Sequence, residues 1–308
     1  MALVKMIAVD LDGTLLARDG RPGERNAAAL RAAEAAGIAV VVATGRRHCY
    51  AMRPLREIGL GPETVLVSSN GTVTRTMGQP TRLLDRNLMS VERARQLCGH
   101  LDGFRNALVI TFDKVLPDGE DERGSLVVEE LADLHISIGR WMEANAAYIE
   151  NMQPIEVCLD ADAATIQMML CGSIERMRAA ADRMLELPWV AGVGDDRADA
   201  AVALHKAEYP ERDLCLLDIL PGGCSKGVAL ARLAASMGID NKEIMAFGDN
   251  WNDLSMLEIA GSPVLMGNAP EDLQAMARER GWQMAGMHHE DGVAVVVEEL
   301  LAMSALAR

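Results

Sequence analysis

The sequence predicts an α/β fold, with a parallel sheet assembled from both ends of the chain and a segment of α+β character inserted between them. Near both ends, short apolar runs of strand length alternate with helical patterns, which is typical of βα units. The middle of the chain instead shows a hairpin pattern, an acidic loop and mixed strands and helices. We therefore expect a core from 1–83 and 218–308, and an inserted domain from 84–217.

The predicted core strands are apolar over most of their length, as strands buried on both faces of a parallel sheet are. The first two are separated by a predicted helix over 23–36, where Pro22 and Gly37 fit the usual chemistry of helix ends. A second core helix is predicted from Asp253 to Ala260, and a third opens near Ser225. The predicted core strands are 4–9, 38–43, 64–67, 243–247 and 263–266.

The inserted domain is predicted to alternate strands and helices. A hairpin over 72–84 precedes it. Its predicted helices are 90–101 and 174–187. Its predicted strands are 107–112, 155–159, 165–171, 201–205 and 214–219.

Composition and charge exclude several classes of protein. The chain has 308 residues, 50% of them hydrophobic, and a net charge of -15. Such an acidic surface repels the phosphates of nucleic acids and of anionic membranes, so we expect neither partner. The chain lacks a signal-peptide pattern and an apolar run long enough for a membrane span, and its six cysteines are scattered without metal-type spacing. We therefore expect a cytoplasmic protein with free thiols.

The strongest local signal is the run Asp10-Leu11-Asp12-Gly13-Thr14, at the end of the first predicted strand. A plain turn would also use Asp and Gly. A chemical interpretation is covalent phosphoryl transfer, in which a carboxylate attacks phosphorus and forms an acyl phosphate. Asp10 would be the nucleophile. Asp12 would protonate the leaving alkoxide and then deprotonate the attacking water.

A second acidic motif, Gly248-Asp249-Asn250-Trp251-Asn252-Asp253, follows the predicted strand that ends at Phe247. A helix cap would explain Asp253 alone. If Asp249 faces Asp10, their carboxylates repel each other and favour a hard divalent cation with oxygen ligands. Mg²⁺ fits best, because it binds through one or two carboxylates together with phosphate.

Three weaker signals could contact a phosphate. Thr44 and Gly45 offer a hydroxyl and a backbone N–H after the second strand. Lys226 follows the cap residue Ser225 at a helix N-terminus, where its charge adds to the helix dipole. Asn70 follows the third strand and is a candidate phosphate or substrate contact. Taken alone, each could instead be a turn or a solvated surface residue.

These signals share one place in the predicted fold. Asp10, Thr44, Asn70 and Asp249 each follow the carboxyl end of an apolar strand. In open α/β sheets, ligands bind in the crevice outside those strand ends. Unrelated turns have no reason to distribute acid, hydroxyl and amide groups in this way, so a single phosphate site is the favoured interpretation.

The pattern resembles the haloacid dehalogenase (HAD) superfamily, and within it the Cof-type sugar phosphatases of subfamily IIB. The resemblance spans the chain from residue 10 to residue 294. It implies a Rossmann-like, doubly wound parallel sheet with an inserted α+β cap domain of the C2 type, which would set substrate specificity. The matching pieces, in family order, are DLDGT at 10–14, ATGR at 43–46, SNG at 69–71, SKG at 225–227, GDNWND at 248–253, MGNA at 266–269 and EDGVA at 290–294.

The resemblance also implies a role for each candidate residue. Mg²⁺ would be bound by the Asp10 side chain, the Asp12 backbone carbonyl and Asp249, while Asp253 would support the metal waters or orient Lys226. The implied phosphate contacts are Thr44, Gly45, Lys226 and Asn252.

The favoured hypothesis is a Mg²⁺-dependent phosphomonoesterase that acts on a small phosphorylated metabolite, with sugar phosphates as the expected class. A phosphomutase or phosphotransferase that returns the aspartyl phosphate to a sugar is the first alternative, and isomerised sugar phosphate without free phosphate would reveal it. A non-catalytic sugar-phosphate sensor is the second alternative. Loss of Asp10 or Asp12 would favour a sensor, and neither is lost.

Overall fold

The chain divides into two compact units in the computed structural model. Unit 1 comprises Met1–Asp85, Pro117–Gly119 and Ser225–Arg308, and unit 2 comprises Arg86–Leu116 and Glu120–Cys224. The residues described are 4–131, 134, 138–193, 195, 197 and 199–306. The outermost ends of the predicted core, 1–3 and 307–308, lie outside the described residues.

The helices and strands are numbered along the chain. The strands are β1 (Met6–Asp10), β2 (Ala39–Ala43), β3 (Val65–Ser68), β4 (Val73–Thr76), β5 (Leu83–Arg86), β6 (Leu108–Phe112), β7 (Leu126–Val128), β8 (Ile149–Asn151), β9 (Thr165–Gly172), β10 (Val190–Ala191), β11 (Val202–Tyr209), β12 (Leu214–Pro221), β13 (Ile244–Gly248), β14 (Ser262–Leu265) and β15 (Gln283–Met284). The helices are α1 (Glu24–Ala35), α2 (His48–Leu55), α3 (Val91–His100), α4 (Gly139–Asn145), α5 (Ile174–Leu185), α6 (Lys226–Ser236), α7 (Leu254–Ile259), α8 (Glu271–Glu279) and α9 (Gly292–Leu306).

Unit 1 is built on an eight-stranded sheet with the order β15-β14-β13-β1-β2-β3-β4-β5. Its strands from β15 to β3 pair in parallel, and β4 turns back antiparallel to β3. Successive strands from the start of the chain extend to one side of β1, and those from its end extend to the other. The predicted α/β fold with a doubly wound parallel sheet is therefore confirmed.

Both faces of this sheet are buried under helices. Side chains alternate along each strand, so that Ile7 and Val9 face one apolar cluster while Met6 and Ala8 face the other. The first cluster contains residues of α1, α2 and α9, and the second contains residues of α6, α7 and α8. Burial on both faces explains why these strands read as nearly continuous apolar runs.

The strand register brings the candidate motifs to one edge of the sheet. Asp10 pairs with Ala43 of β2, and Ala43 pairs in turn with Val67 of β3. On the other side of β1, Val9 pairs with Phe247 of β13. The residues that follow these parallel strands therefore emerge side by side at the carboxyl edge.

Unit 2 is an α+β unit around a seven-stranded mixed sheet with the order β10-β11-β12-β9-β6-β7-β8. One face of the sheet packs its apolar side chains against α3 and α5. The other face packs against the segment that carries α4, including Trp141 and Met142. Ser90 and Ser173 begin α3 and α5 by accepting a hydrogen bond from the third residue that follows.

Two details of the sequence interpretation are wrong. Residues 155–159 were predicted as a strand, but Ile155–Cys158 form a 3₁₀ helix that starts directly after Pro154. The predicted boundary at 217/218 cuts through β12, which pairs with β11 along its whole length from Leu214 to Pro221. The division between the two units falls after Cys224 instead.

No helix within the described part of the chain has both the length and the apolar character needed to cross a membrane.

A pair of helical glycines tests the packing of the core. A Cβ at Gly227 in α6 would lie 2.2 Å from the main-chain oxygen of Ser255, whereas a Cβ at Gly99 in α3 would meet nothing within 4 Å. We expect Gly227→Ala to destabilise the fold by about 1–3 kcal/mol through overpacking. Gly99→Ala should instead stabilise it by roughly 0.5–1 kcal/mol, because alanine favours a helix. Urea unfolding midpoints measure both, and a Gly227→Ala variant as stable as the parent would contradict the close approach of α6 and α7.

Candidate active site

A buried ammonium group joins two of the candidate carboxylates. Lys226 Nζ donates hydrogen bonds to Asp10 Oδ1 at 2.5 Å and to Asp253 Oδ1 at 2.7 Å. The side chains of Lys226 and Asp253 are almost fully inaccessible to solvent, and that of Asp10 is 6% exposed. Residues from the first strand, from the start of α6 and from the loop after β13 therefore meet at one point.

Asp253 is held in place through both of its carboxylate oxygens. Oδ1 accepts the bond from Lys226, and Oδ2 accepts bonds from the backbone N–H groups of Asp249 and Asn250 at 2.9 and 3.1 Å. This arrangement fixes the loop between β13 and α7. It suits a residue that orients Lys226 and Asp249 better than one that binds a ligand directly.

Asp249 lies beside this pair, with its carboxylate oriented by two neutral groups. Thr14 Oγ1 donates to Asp249 Oδ1 at 3.3 Å, and Asn268 Nδ2 donates to Asp249 Oδ2 at 3.2 Å. Asn268 Nδ2 also donates to the backbone oxygen of Gly13 at 2.8 Å. Asn268 thereby connects the first acidic motif to the second.

Two glycines permit this close packing of loops. Gly13 has φ +79°, and a Cβ there would lie 2.2 Å from Asp249 Oδ2. Gly71 has φ +98°, and a Cβ there would lie 2.3 Å from the backbone oxygen of Ser225. A side chain at either position would be strained by the backbone conformation and would collide with the site.

The electrostatics of the cluster are dominated by burial and by carboxylate repulsion. Burial raises the pKa of Asp10 well above its ordinary value, and the charges of Asp253 and Asp249 raise it further against the opposing effect of Lys226. Burial, followed by the charge of Asp253, raises the pKa of Asp249 to about 7. For Lys226, burial lowers the pKa, but Asp10 and Asp253 outweigh burial and raise it above its ordinary value.

The second group of candidates lies at the ends of β2 and β3. Asn252 Nδ2 donates to Asn70 Oδ1 at 3.4 Å, and a Cβ on Gly45 would lie 3.1 Å from that same oxygen. Thr44 Oγ1 accepts a bond from the Arg46 backbone N–H at 3.1 Å, and the backbone oxygen of Thr44 accepts one from the Asn70 N–H. The structure therefore brings Thr44, Gly45, Asn70 and Asn252 together.

Asp12 is oriented differently from the other acidic residues of the site. Its side chain is 57% exposed, and both of its oxygens accept hydrogen bonds from Arg46. The sequence placed Asp12 beside Asp10 but did not reveal this partner. Asp12 therefore bonds to Arg46, whereas Asp10 and Asp253 bond to the buried Lys226.

The donor set fits a hard divalent cation. One carboxylate oxygen from each of Asp10, Asp249 and Asp253 can be chosen so that all three lie within 4.8 Å of one another. The buried carboxylates of Asp10 and Asp253 and the partly buried carboxylate of Asp249 have one ammonium group among them, so a cation with oxygen ligands would offset the remaining negative charge. Asp253 accepts a 2.7 Å bond from the charged Lys226 and two bonds from backbone N–H groups. Asp249 accepts only longer bonds, of 3.2 and 3.3 Å, from neutral side chains, so Asp10 and Asp249 are the better candidates for side-chain ligands.

A model of haloacid dehalogenase-like hydrolases matches residues 7–187 and 198–297 of the chain. The chain belongs to this family. The resemblance inferred from the seven motifs is therefore confirmed.

Curated relatives of this HAD-family chain cover nearly all of its length. The phosphatase YwpJ of Bacillus subtilis is 28% identical over 305 residues, which cover 97% of this chain and 100% of that protein. The 5-amino-6-(5-phospho-D-ribitylamino)uracil phosphatase YwtE of the same organism is 28% identical, with 97% and 99% covered. The HMP-PP phosphatase of Cronobacter sakazakii is 29% identical, with 89% and 88% covered.

A solved structure of a haloacid dehalogenase-like hydrolase from B. subtilis is 25% identical, with a TM-score of 0.73 and coverage of 96% of this chain and 99% of that one. Together with relatives named as phosphatases, the family match confirms the prediction of an enzyme of the HAD phosphatase class.

Sequence reasoning missed three residues that shape the site. Arg46, in the ATGR motif, was interpreted only as a residue that could steer anions toward the phosphate site or be solvated at the surface. Asn268 entered only as part of MGNA, and Thr14 only as the last residue of DLDGT. Each motif marked the right loop. Spacing alone could not show that Thr14 and Asn268 orient Asp249, or that Arg46 reaches Asp12.

The raised pKa of Asp249 predicts how Mg²⁺ changes stability with pH. The pKa of Asp249 is raised from 3.8, its ordinary value, to about 7 in the folded protein. Its protonated carboxyl therefore stabilises the folded state fully below pH 3.8, and this stabilisation is lost as pH rises through about 7. Mg²⁺ competes with the proton and favours the carboxylate. We therefore expect Mg²⁺ to raise the thermal unfolding midpoint more at about pH 8 than at about pH 5.5.

Differential scanning fluorimetry with Mg²⁺ and with EDTA at matched ionic strength measures this difference. Asp249→Asn is the matched variant, and it should lose most of the shift at the higher pH. An equal Mg²⁺ shift at both pH values would contradict the assignment of Asp249 to the cation.

Proposed function

We propose that the protein is a Mg²⁺-dependent phosphomonoester hydrolase that forms an aspartyl phosphate on Asp10, with Asp12 as general acid and base. One observation carries the proposal. The Asp10 carboxylate, at the carboxyl edge of the sheet, lies 2.5 Å from the buried Lys226 ammonium and next to Asp249 and Asp253. A nucleophile, a cation and oxygen ligands for a metal therefore meet where α/β sheets bind their ligands.

In the first step, an Asp10 oxygen attacks phosphorus and the bond from phosphorus to the substrate oxygen breaks. The leaving oxygen takes a proton from the Asp12 carboxyl, so that the alcohol departs and the phosphoryl group stays on Asp10. Lys226 holds Asp10 Oδ1, which orients the carboxylate and places a positive charge next to the transferred group.

In the second step, water attacks the same phosphorus and gives its proton to the Asp12 carboxylate. The bond from phosphorus to Asp10 breaks, phosphate leaves, and Asp12 again carries the proton needed for the next cycle. Thr44, Gly45, Asn252 and Lys226 are the proposed phosphate contacts, and Asn70 orients Asn252 and lies against Gly45. These groups would position the phosphoryl oxygens in both steps.

Asp10, the Asp12 backbone carbonyl and Asp249 are the proposed ligands of Mg²⁺. Bound there, Mg²⁺ would neutralise charge on the phosphoryl oxygens and reduce the repulsion between the substrate and the carboxylates. Asp253 supports this arrangement through Lys226 and through the backbone of Asp249.

The proposed substrate is a small metabolite in which the phosphate is esterified to a hydroxyl group of a sugar or a polyol. The name of the relative YwtE, a phosphatase of a phospho-D-ribitylamino compound, supports this class. The residues gathered in unit 1 handle only the phosphoryl group, so we assign the choice of leaving group to unit 2, the inserted cap. We also propose a cytoplasmic location, because none of the six cysteines, all of which lie within the described residues, forms a disulfide bond.

Release of free phosphate tests the proposed reaction directly. The panel should contain hexose and pentose phosphates, nucleotides, pyridoxal phosphate and 5-amino-6-(5-phospho-D-ribitylamino)uracil, each with Mg²⁺ and with EDTA. We expect Mg²⁺-dependent release from a few related compounds. Asp10→Asn should lower kcat by at least about 10³-fold, because the nucleophile is lost. Asp12→Asn should lower it by about 10²–10⁴-fold.

Asp19→Asn is the matched control, since it removes an exposed carboxylate that is close to Asp12 in the sequence and should leave the kinetics unchanged. More than a few per cent of activity in Asp10→Asn would contradict the covalent mechanism. Isomerised sugar phosphate without free phosphate would replace the hydrolase with a mutase.

A further inference from the structure

The Asp12 carboxylate is bound by a guanidinium group in a two-point contact. Arg46 Nε donates to Asp12 Oδ2 at 2.8 Å, and Arg46 Nη2 donates to Asp12 Oδ1 at 2.5 Å. Such paired bonds fix the plane and the direction of a carboxylate, which a single point charge does not do. The contact orients the group to which we assign proton transfer.

Arg46 is itself held from two sides. Its backbone N–H donates to Thr44 Oγ1, and its guanidinium carbon lies 4.8 Å from the centre of the Tyr50 ring. Its side chain is only 19% exposed, although Asp12 is 57% exposed. The guanidinium is therefore a fixed cation, and the carboxylate is the member of the pair that it holds.

The direction of these bonds matches one half of the proposed reaction. Both Asp12 oxygens accept bonds from a guanidinium, which interacts more strongly with a carboxylate than with a neutral carboxyl group. The carboxylate form is the one that accepts a proton from water when the aspartyl phosphate is hydrolysed. Formation of the aspartyl phosphate needs the opposite form, in which Asp12 gives a proton to the leaving oxygen.

We propose that Arg46 is the positioning residue of Asp12, and that it acts mainly on hydrolysis of the aspartyl phosphate rather than on its formation. The inference rests on the proposed function. In the step concerned, a water O–H bond breaks, the proton goes to an Asp12 oxygen, the water oxygen bonds to phosphorus, and the bond from phosphorus to Asp10 breaks. Arg46 stays protonated throughout and gives up no atom.

Arg46 could instead bind the substrate phosphate, and the kinetics separate these two roles. A residue that binds the substrate phosphate stabilises the phosphoryl group in both steps, so its removal raises KM. A residue that positions Asp12 for the second step lowers kcat while the first chemical event keeps its rate. p-Nitrophenyl phosphate isolates this difference, because p-nitrophenolate leaves without a proton and its release in the first turnover reports formation of the aspartyl phosphate alone.

The experiment is rapid-mixing kinetics of p-nitrophenyl phosphate with wild type, Arg46→Ala, Arg46→Lys and Arg53→Ala. We expect the first-turnover rate of Arg46→Ala to stay within about twofold of wild type, while kcat falls on the order of 10-fold, a part of the usual contribution of a general base. Arg46→Lys should lie between the two. Guanidinium chloride at low millimolar concentration should restore part of the kcat of Arg46→Ala.

Arg53→Ala is the matched control. Its guanidinium also lies against the Tyr50 ring, at 5.6 Å, so its removal reproduces the loss of a cation there and should leave both rates unchanged. Circular dichroism checks the fold of each variant. If Arg46→Ala does not fold, the same comparison is made with Arg46→Lys, which retains the charge but cannot donate two parallel bonds.

Three outcomes would overturn the inference: a first-turnover rate that falls as much as kcat, a rise in KM with unchanged kcat, or kinetics equal to wild type. Failure of the proposed function has a different signature. In that case wild-type enzyme itself would release no phosphate with Mg²⁺, or would turn over without an aspartyl phosphate.

Discussion

The site depends on the charge balance around one buried ammonium group. Lys226 bonds to Asp10 and Asp253, and its charge opposes the repulsion among three carboxylates that burial makes costly. Asp253 also accepts hydrogen bonds from the backbone N–H groups of Asp249 and Asn250, and these bonds fix the loop after β13. One ammonium group does not neutralise three carboxylates, so net negative charge remains in the cluster. This charge suits the cluster to a divalent cation, which can in turn bind a phosphoryl group.

The parallel sheet explains why motifs that are far apart in the sequence meet in this cluster of charges. The register places Asp10 opposite Ala43, so the loops after β1 and β2 leave the sheet side by side, and the loop after β13 leaves on the other side. Gly13, after β1, and Gly71, after β3, then allow their loops to approach within contact distance of Asp249 and Ser225. Regular secondary structure sets the coarse positions, and the two glycines allow the final approach of the loops.

Much of the fold could be predicted from the sequence, because the buried parallel strands are apolar on both faces and glycines mark the ends of helices, as Gly37 does after α1 and Gly238 after α6. The prediction failed where local pattern and tertiary pairing compete. Residues 155–159 are apolar enough for a strand, but Ile155–Cys158 turn into a 3₁₀ helix after Pro154. The boundary was set too early, because only pairing with β11 shows that β12 continues to Pro221.

The candidate site was predictable to the level of its loops and not to the level of its side-chain contacts. Motif spacing could place Asp10, Thr44, Asn70 and Asp249 at one sheet edge, because that follows from strand direction. It could not show that Asn70 bonds to Asn252, or that Asn268 bridges Gly13 and Asp249, because those contacts depend on rotamers and on the folding back of the chain from residues far apart. The pairing of Arg46 with Asp12 belongs to the same class.

The proposed mechanism requires the phosphoryl group to pass through Asp10. Mass spectrometry of the enzyme, quenched in acid during turnover and digested, tests it most directly. We expect a phosphate adduct on the peptide that contains Asp10, and no such adduct on the same peptide of Asp10→Asn. Phosphate release by an enzyme that carries no adduct at any time during turnover, or an adduct on a different residue, would contradict it.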